Sequence, residues 1–204
     1  MKFICSIMGV LLAAMLSTAQ AQQKETPNRN AKNKVIVAYV TSWGKVLPDP
    51  KLVTHINYAF GHVNKTFDGI TIQNEDRLKD IAGLKTKYPK LKVLLSIGGW
   101  KSGGFSEMAA SEENRSKFVD DCQRVVNTFN LDGIDIDWEY PTSSEAGISS
   151  SPDDTKNYTL LMSQIRNKIG KKKLLTLASV TNAKYIDFKA ITPIVDFVNV
   201  MTYD

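Results

Sequence analysis

Between Leu131 and Pro141 the sequence reads LDGIDIDWEYP, which places Asp132, Asp135, Asp137 and Glu139 within eight positions, interleaved with Ile134, Ile136 and Trp138. Side chains alternate along a strand. Read as a strand, the segment sorts into an apolar face of Ile134, Ile136 and Trp138 and an opposite face of Gly133, Asp135, Asp137 and Glu139. Successive carboxyls on that second face stand about 6 to 7 Å apart. Three acids so close in a low dielectric resist ionising together, so at least one is expected to hold a proton near neutral pH. A carboxyl titrating near the working pH can serve as a general acid. Glu139, last in the file, is the natural donor, with Asp135 and Asp137 tuning and orienting it from below. Asp132 has the parity of the apolar face and reads as structural.

Metal binding is the competing chemistry. Calcium ligands usually come from Gly- and Asn-rich loops, and this segment is neither. Magnesium on two carboxylates would need a phosphate-binding element. GGWKSGG (98 to 104) fails as one, because Trp100 stands where a phosphate loop needs Gly before the Lys. His55 and His62 are too isolated to argue a metal site. Acid catalysis is the better reading.

The elements that must position these acids follow from hydrophobic pattern. Six runs rich in Val, Ile and Leu, at 34 to 43, 54 to 63, 91 to 100, 131 to 140, 173 to 180 and 196 to 204, are nearly continuous in apolar residues, as in strands buried on both faces. Between them lie helical patterns. Residues 111 to 129 open on Ser111 with Glu112 and Glu113 and carry an apolar stripe through Phe118, Cys122, Val125, Val126 and Phe129. Residues 151 to 169 open on Ser151-Pro152 and carry Tyr158, Leu161, Met162, Ile165 and Ile169, with Gly170 as the expected cap. A weaker helix spans about 75 to 88. Alternating strands and helices predict an α/β fold. No G-x-G-x-x-G follows the first strand, and the polar residues gather at strand C-terminal ends, so a (β/α)8 TIM barrel is preferred over a doubly wound sheet.

DGIDIDWEYP matches the D-x-x-D-x-D-x-E signature of family 18 glycoside hydrolases, the chitinase family. LLSIGGW resembles that family's S-x-G-G strand, HINYAFGHV its second strand and NVMTYD its M-x-Y-D strand, in the right order. The resemblance runs from about residue 34 to the end of the sequence. It implies that Glu139 protonates the glycosidic oxygen while the substrate's own 2-acetamido carbonyl attacks the anomeric carbon, a retaining, substrate-assisted mechanism. Asp137 would stabilise the oxazolinium ion, Asp135 would share its proton, and Tyr203 would position the acetamido oxygen. Tyr39, Phe60, Trp100, Met201 and Asp204 would line the subsite for the reacting sugar, with Ser96 and Gly99 supporting one wall. Trp43 and Tyr140, at strand ends, could stack on sugar rings or cover the barrel rim.

The substrate so implied is chitin or an N-acetylglucosamine oligosaccharide, with no cofactor or metal. An endo-β-N-acetylglucosaminidase of N-glycans is an alternative, which Trp138 disfavours, since such members more often resemble DYE there. A non-catalytic chitinase-like lectin is an alternative of another class, and members of that class typically lose the acid that this chain keeps as Glu139. Six strands are present where a barrel has eight, and the family's last-strand Trp has no counterpart. Residues 34 to 204 are therefore expected to be the first part of a longer catalytic domain.

The N-terminus sets the expected compartment. Lys2 precedes an apolar run from Phe3 to Leu16 and then Ala19-Gln20-Ala21, the pattern of a cleaved export signal, too short for a membrane span. Residues 22 to 33 read as a polar leader. The rest can build one sizeable core. Loss of the signal removes Lys2 and lowers the formal charge of +5 by one. So mild an excess, with no dense basic run, argues against nucleic acid and suits a neutral substrate. It also leaves Cys122 alone, on an apolar helix face, as a buried structural thiol. A secreted or periplasmic monomer, free of the membrane after cleavage, is expected. N-terminal sequencing of the exported protein should find Gln22 first; a product keeping residues 1 to 21 would contradict the cleavage site.

Overall fold

The computed structural model describes residues 34 to 203, so the expected export signal, the polar leader and Asp204 lie outside the described residues. Six strands form one parallel sheet: β1 (Val37–Thr41), β2 (His55–Val63), β4 (Lys92–Gly98), β5 (Gly133–Asp137), β6 (Leu174–Val180) and β7 (Phe197–Met201), hydrogen-bonded in that order. The short β3 (Ile70–Ile72) pairs antiparallel with β2 through a turn at 64 to 69, a hairpin with too few residues to show a strand pattern in the sequence. The arrangement is that of six consecutive strands of a (β/α) barrel, with β1 and β7 at the two edges among the described residues.

The helices are α1 (Glu75–Gly83), α2 (Phe105–Ala110), α3 (Glu112–Thr128), α4 (Asp154–Ile169) and α5 (Phe188–Ile191). α3 starts where Ser111 accepts the Asn114 N–H, and it buries Phe118, Cys122, Val125 and Val126. Two expectations shift. The segment from 75 to 88 is α-helical only to Gly83 and closes in a tighter 3-10 turn at Leu84–Thr86. Ser151 and Pro152 do not open α4. The helix begins at Asp154, whose buried carboxylate accepts the Ser151 N–H at 2.7 Å, the Thr142 N–H at 3.2 Å and the Ser106 hydroxyl at 2.8 Å. That carboxylate folds 151 to 153 into a turn and ties the loop after β5 to α2.

The alternation of β5 is as the acid strand predicts. Ile134, Ile136 and Trp138 join the helix-facing core, where the Trp138 ring stacks on Phe105 at 5.3 Å and meets Tyr158 edge-on at 5.8 Å. The strand itself stops earlier than expected. Its ladder ends at Asp137 opposite Gly98, and Glu139 lies in the bend beyond. The ladder closes tightly there: a Cβ on Gly98, whose φ is 129°, would lie 2.0 Å from the Asp137 carbonyl oxygen.

The opposite ends of the strands are held by charge. Asp132 accepts the Val93 N–H at 2.9 Å and the ammonium groups of Lys85 and Lys92 at 2.9 and 3.2 Å. Burial alone would raise its pKa, yet these donors hold it below the ordinary aspartate value. Asp196 repeats the device before β7, accepting the Leu175 N–H at 2.8 Å and Arg166 at 2.6 Å. Stabilising contacts thus collect at the N-terminal ends of the strands, leaving the C-terminal ends for chemistry.

Gly98→Ala tests the tight closure of β4 on β5. It should destabilise the fold by on the order of 3 kcal/mol, which lowers Tm by roughly 6 to 12 °C for a chain of this size. Calorimetry showing an unchanged melt would contradict the tight approach.

Candidate active site

The concave face of the sheet is polar where the convex face is apolar. At its centre Asp135 is fully buried and accepts four hydrogen bonds from four other strands. Tyr39 Oη of β1 and Ser96 Oγ of β4 reach Oδ2 at 2.9 and 2.8 Å; Thr176 Oγ1 of β6 and Asn199 Nδ2 of β7 reach Oδ1 at 2.5 and 3.2 Å. Burial holds the Asp135 carboxyl above its usual value, although the four donors favour its charged form.

Two positions on, Asp137 is in the opposite condition. It is buried, its Oδ1 has no hydrogen-bond partner, and it sits near both Asp135 and Glu139. Burial first, then the charge of Glu139, then that of Asp135, hold its carboxyl well above the ordinary aspartate range. Of the two aspartates, Asp137 is therefore the one whose surroundings favour the protonated form more strongly. Burial and the two aspartates likewise keep the Tyr39 phenol protonated.

Asp137 and Glu139 form the base of an open cleft of about 1120 Å³ at the C-terminal ends of the strands. Tyr39 and Phe60 line it from β1 and β2, Trp100 from the turn after β4, and Met201 and Tyr203 from the end of β7. Gly99 is buried beneath this wall with φ 93°: its N–H reaches the Asp137 carbonyl at 2.9 Å, and a Cβ there would meet the Phe60 ring at 2.9 Å. Trp100 is 54% exposed, an open aromatic face at the rim. Tyr140 lines the cleft with its ring against other aromatics, whereas Trp43 is exposed and is not among the residues that line it. The peptide bonds Ala59–Phe60 and Glu139–Tyr140 at the cleft are cis. Among the described residues no group of three or more His, Cys, Asp or Glu side chains is arranged to hold a metal ion.

The family model for glycosyl hydrolases family 18 matches residues 35–204. This chain belongs to that family. It is 34% identical over 262 residues to chitinase A1 of Niallia circulans, covering 95% of this chain and 37% of that protein. It is 32% identical to mouse chitotriosidase-1, covering 83% and 41%. Among solved structures, the chitinase domain of the spore coat protein CotE from Clostridium difficile superposes with a TM-score of 0.80 at 35% identity, covering 88% of this chain and 53% of that one. A family 18 N-acetylglucosaminidase from Paenibacillus barengoltzii gives 0.78 at 38%, covering 84% and 54%. The chain thus spans about two fifths of the curated relatives quoted and about half of the solved chains.

Several residues of this family 18 site carry no sequence signal. Thr176 and Asn199 are pattern-neutral polar residues inside apolar strands, and only the parallel register that sets Thr176 beside Asp135 and Asn199 beside Ala178 reveals them as donors. Parity counted outward from the acid strand could have flagged both. Tyr185, Asn182 and Glu145 reach the cleft from loops, and nothing in periodicity points to them.

The buried proton has a consequence for stability. A carboxyl whose folded pKa lies above its unfolded value of about 3.9 costs stability increasingly as pH rises from that value. Asp137→Asn removes this cost. The variant should melt above wild type at neutral pH, with a gap that narrows as pH falls towards 4; a gap that widens on acidification would contradict the assignment.

Proposed function

We propose that this chain carries the acid-bearing part of an exported family 18 hydrolase that cleaves β-1,4-linked N-acetylglucosamine chains. The observation that carries the reading is the pairing of Glu139 with an Asp137 whose buried oxygen is unpartnered at the base of the cleft. An acetamido N–H supplies the missing partner, a match that a plain hydroxyl sugar offers less well because the charge formed next is positive.

The steps follow from those positions. Glu139 gives its proton to the glycosidic oxygen as the bond to the anomeric carbon breaks. The acetamido carbonyl oxygen forms the new bond to that carbon, giving an oxazolinium ion. Asp137, having given its resting proton to Glu139 before that donation, accepts the acetamido N–H as a carboxylate and balances the positive ring. Tyr203, at the rim, orients the acetamido oxygen. Water then attacks the anomeric carbon, Glu139 takes the water's proton, and the product keeps the β configuration. Asp204 is proposed beside Tyr203 on motif alone. The chitinase relatives and the exposed Trp100 face support a chain of such sugars as substrate.

Glu139→Gln should lower turnover of a chromogenic chitobioside by on the order of 10²- to 10⁴-fold while leaving oligosaccharide binding in place. A variant keeping about a tenth of the wild-type rate would remove Glu139 from the role. The first product seen by NMR should be the β anomer, and a substrate lacking the N-acetyl group at the cleaved sugar should be inert; an α product would overturn the mechanism.

A further inference from the structure

The aromatic residues on the far side of Glu139 form a column. The Tyr140 ring stacks on Tyr185 with centroids 5.0 Å apart and planes 4° from parallel, and on its other flank it meets Trp100 at 6.2 Å and 60°. Tyr185 lies in the loop after β6 and is 8% exposed although it borders the cleft. Its own position is held from two sides. The Thr155 hydroxyl of α4 donates to its carbonyl oxygen at 2.9 Å, and Lys184 Nζ stands 5.2 Å from its ring centroid. Tyr140 in turn is joined to Glu139 by the chain itself and by a hydrogen bond between their side chains.

These contacts make a poor sugar platform of either tyrosine. The face Tyr140 gives to Tyr185 is closed to a ligand, and Tyr185 has little free surface. They make a good clamp. Glu139 lies beyond the last ladder bond of β5, so backbone pairing no longer fixes it. Beyond the ladder the Glu139 carboxyl takes its orientation from the side chains around it, and small misplacements of a catalytic group are costly to rate. An offset aromatic stack is worth roughly 0.5 to 1.5 kcal/mol beyond the area it buries, enough to bias one ring orientation over its alternatives.

We propose that Tyr185 is a positioning residue for acid catalysis: it fixes the Tyr140 ring, and through the Tyr140 hydroxyl it orients the Glu139 carboxyl. The proposal rests on the reading of Glu139 as general acid. It assigns to the β6–α5 loop a part in aiming the proton rather than in binding sugar.

The test is a double-mutant cycle in the purified enzyme, with a second readout that needs no substrate. Y185A should lower kcat on the chitobioside by on the order of tenfold with KM changed little, and Y185F, which keeps the ring, should restore it. Y140F should lower kcat comparably, and Y140F combined with Y185A should be no worse than Y140F alone, since both remove one unit. Burial, then the charge of Glu139 and the bond to it, raise the Tyr140 phenol above the ordinary tyrosine value. Its ¹³Cζ resonance should therefore titrate at lower pH in Y185A than in wild type. If Y185A does not fold, Y185L takes its place with the same readouts.

Additive losses, or a raised KM with kcat intact, would overturn the clamp in favour of direct sugar contact. An unmoved Tyr140 titration overturns it whatever the activity. A wild-type enzyme inert on the chitobioside, but with the Tyr140 titration moved in Y185A, supports the clamp and overturns the substrate reading instead.

Discussion

A single buried carboxylate organises the concave side of this sheet. Asp135 takes one hydrogen bond from each of β1, β4, β6 and β7, so five of the six parallel strands meet at one residue. Ser96 and Thr176 would otherwise be buried polar groups with nowhere to bond, and Asp135 would otherwise be a buried acid with the same problem. The arrangement settles both at once. The next carboxyl along the strand has no such set of donors: Asp137 Oδ1 is buried without a hydrogen-bond partner. Burial, with the charges of Glu139 and Asp135 beside it, then holds the Asp137 carboxyl well above the ordinary aspartate range.

The two faces of β5 divide the work. Outward, Trp138 and the two isoleucines lock the strand onto α2 and α4 through close aromatic and aliphatic packing. Inward, the acids lie in a file whose depth decreases from Asp135 to Glu139. The ladder holds the first two and releases the third, since the pairing ends at Asp137. Rigid burial thus fixes Asp135 and Asp137, while the acid proposed to meet substrate sits on a bend supported by side chains. The opposite, N-terminal ends of the strands are closed by Asp132 and Asp196 against Lys and Arg, which keeps competing charge away from the file.

Much of this was legible in the sequence, because strand parity is a strict rule. The two-faced reading of the acid strand and the separate role of Asp132 follow from it directly, as does the α/β order of elements. What was hidden depends on register and on loops. Thr176 and Asn199 look like any Thr and Asn in a strand until parallel pairing brings their rows to Asp135. Tyr185 looks like a loop tyrosine until the chain after β6 folds back onto Tyr140. The start of α4 was misplaced because Ser-Pro is a strong local signal, and a tertiary bond network centred on Asp154 overrides it. Strand ends were overrun because apolar residues continue past the last ladder bond.

The central claim is that burial beside two other acids leaves the resting proton on Asp137. Carboxyl ¹³C NMR of aspartate-labelled enzyme, with the resonance assigned by its loss in Asp137→Asn, reads that proton directly. The account predicts that the Asp137 carboxyl keeps the chemical shift of a neutral acid at pH values where exposed aspartates have fully ionised. An Asp137 resonance that titrates together with those exposed aspartates would contradict it.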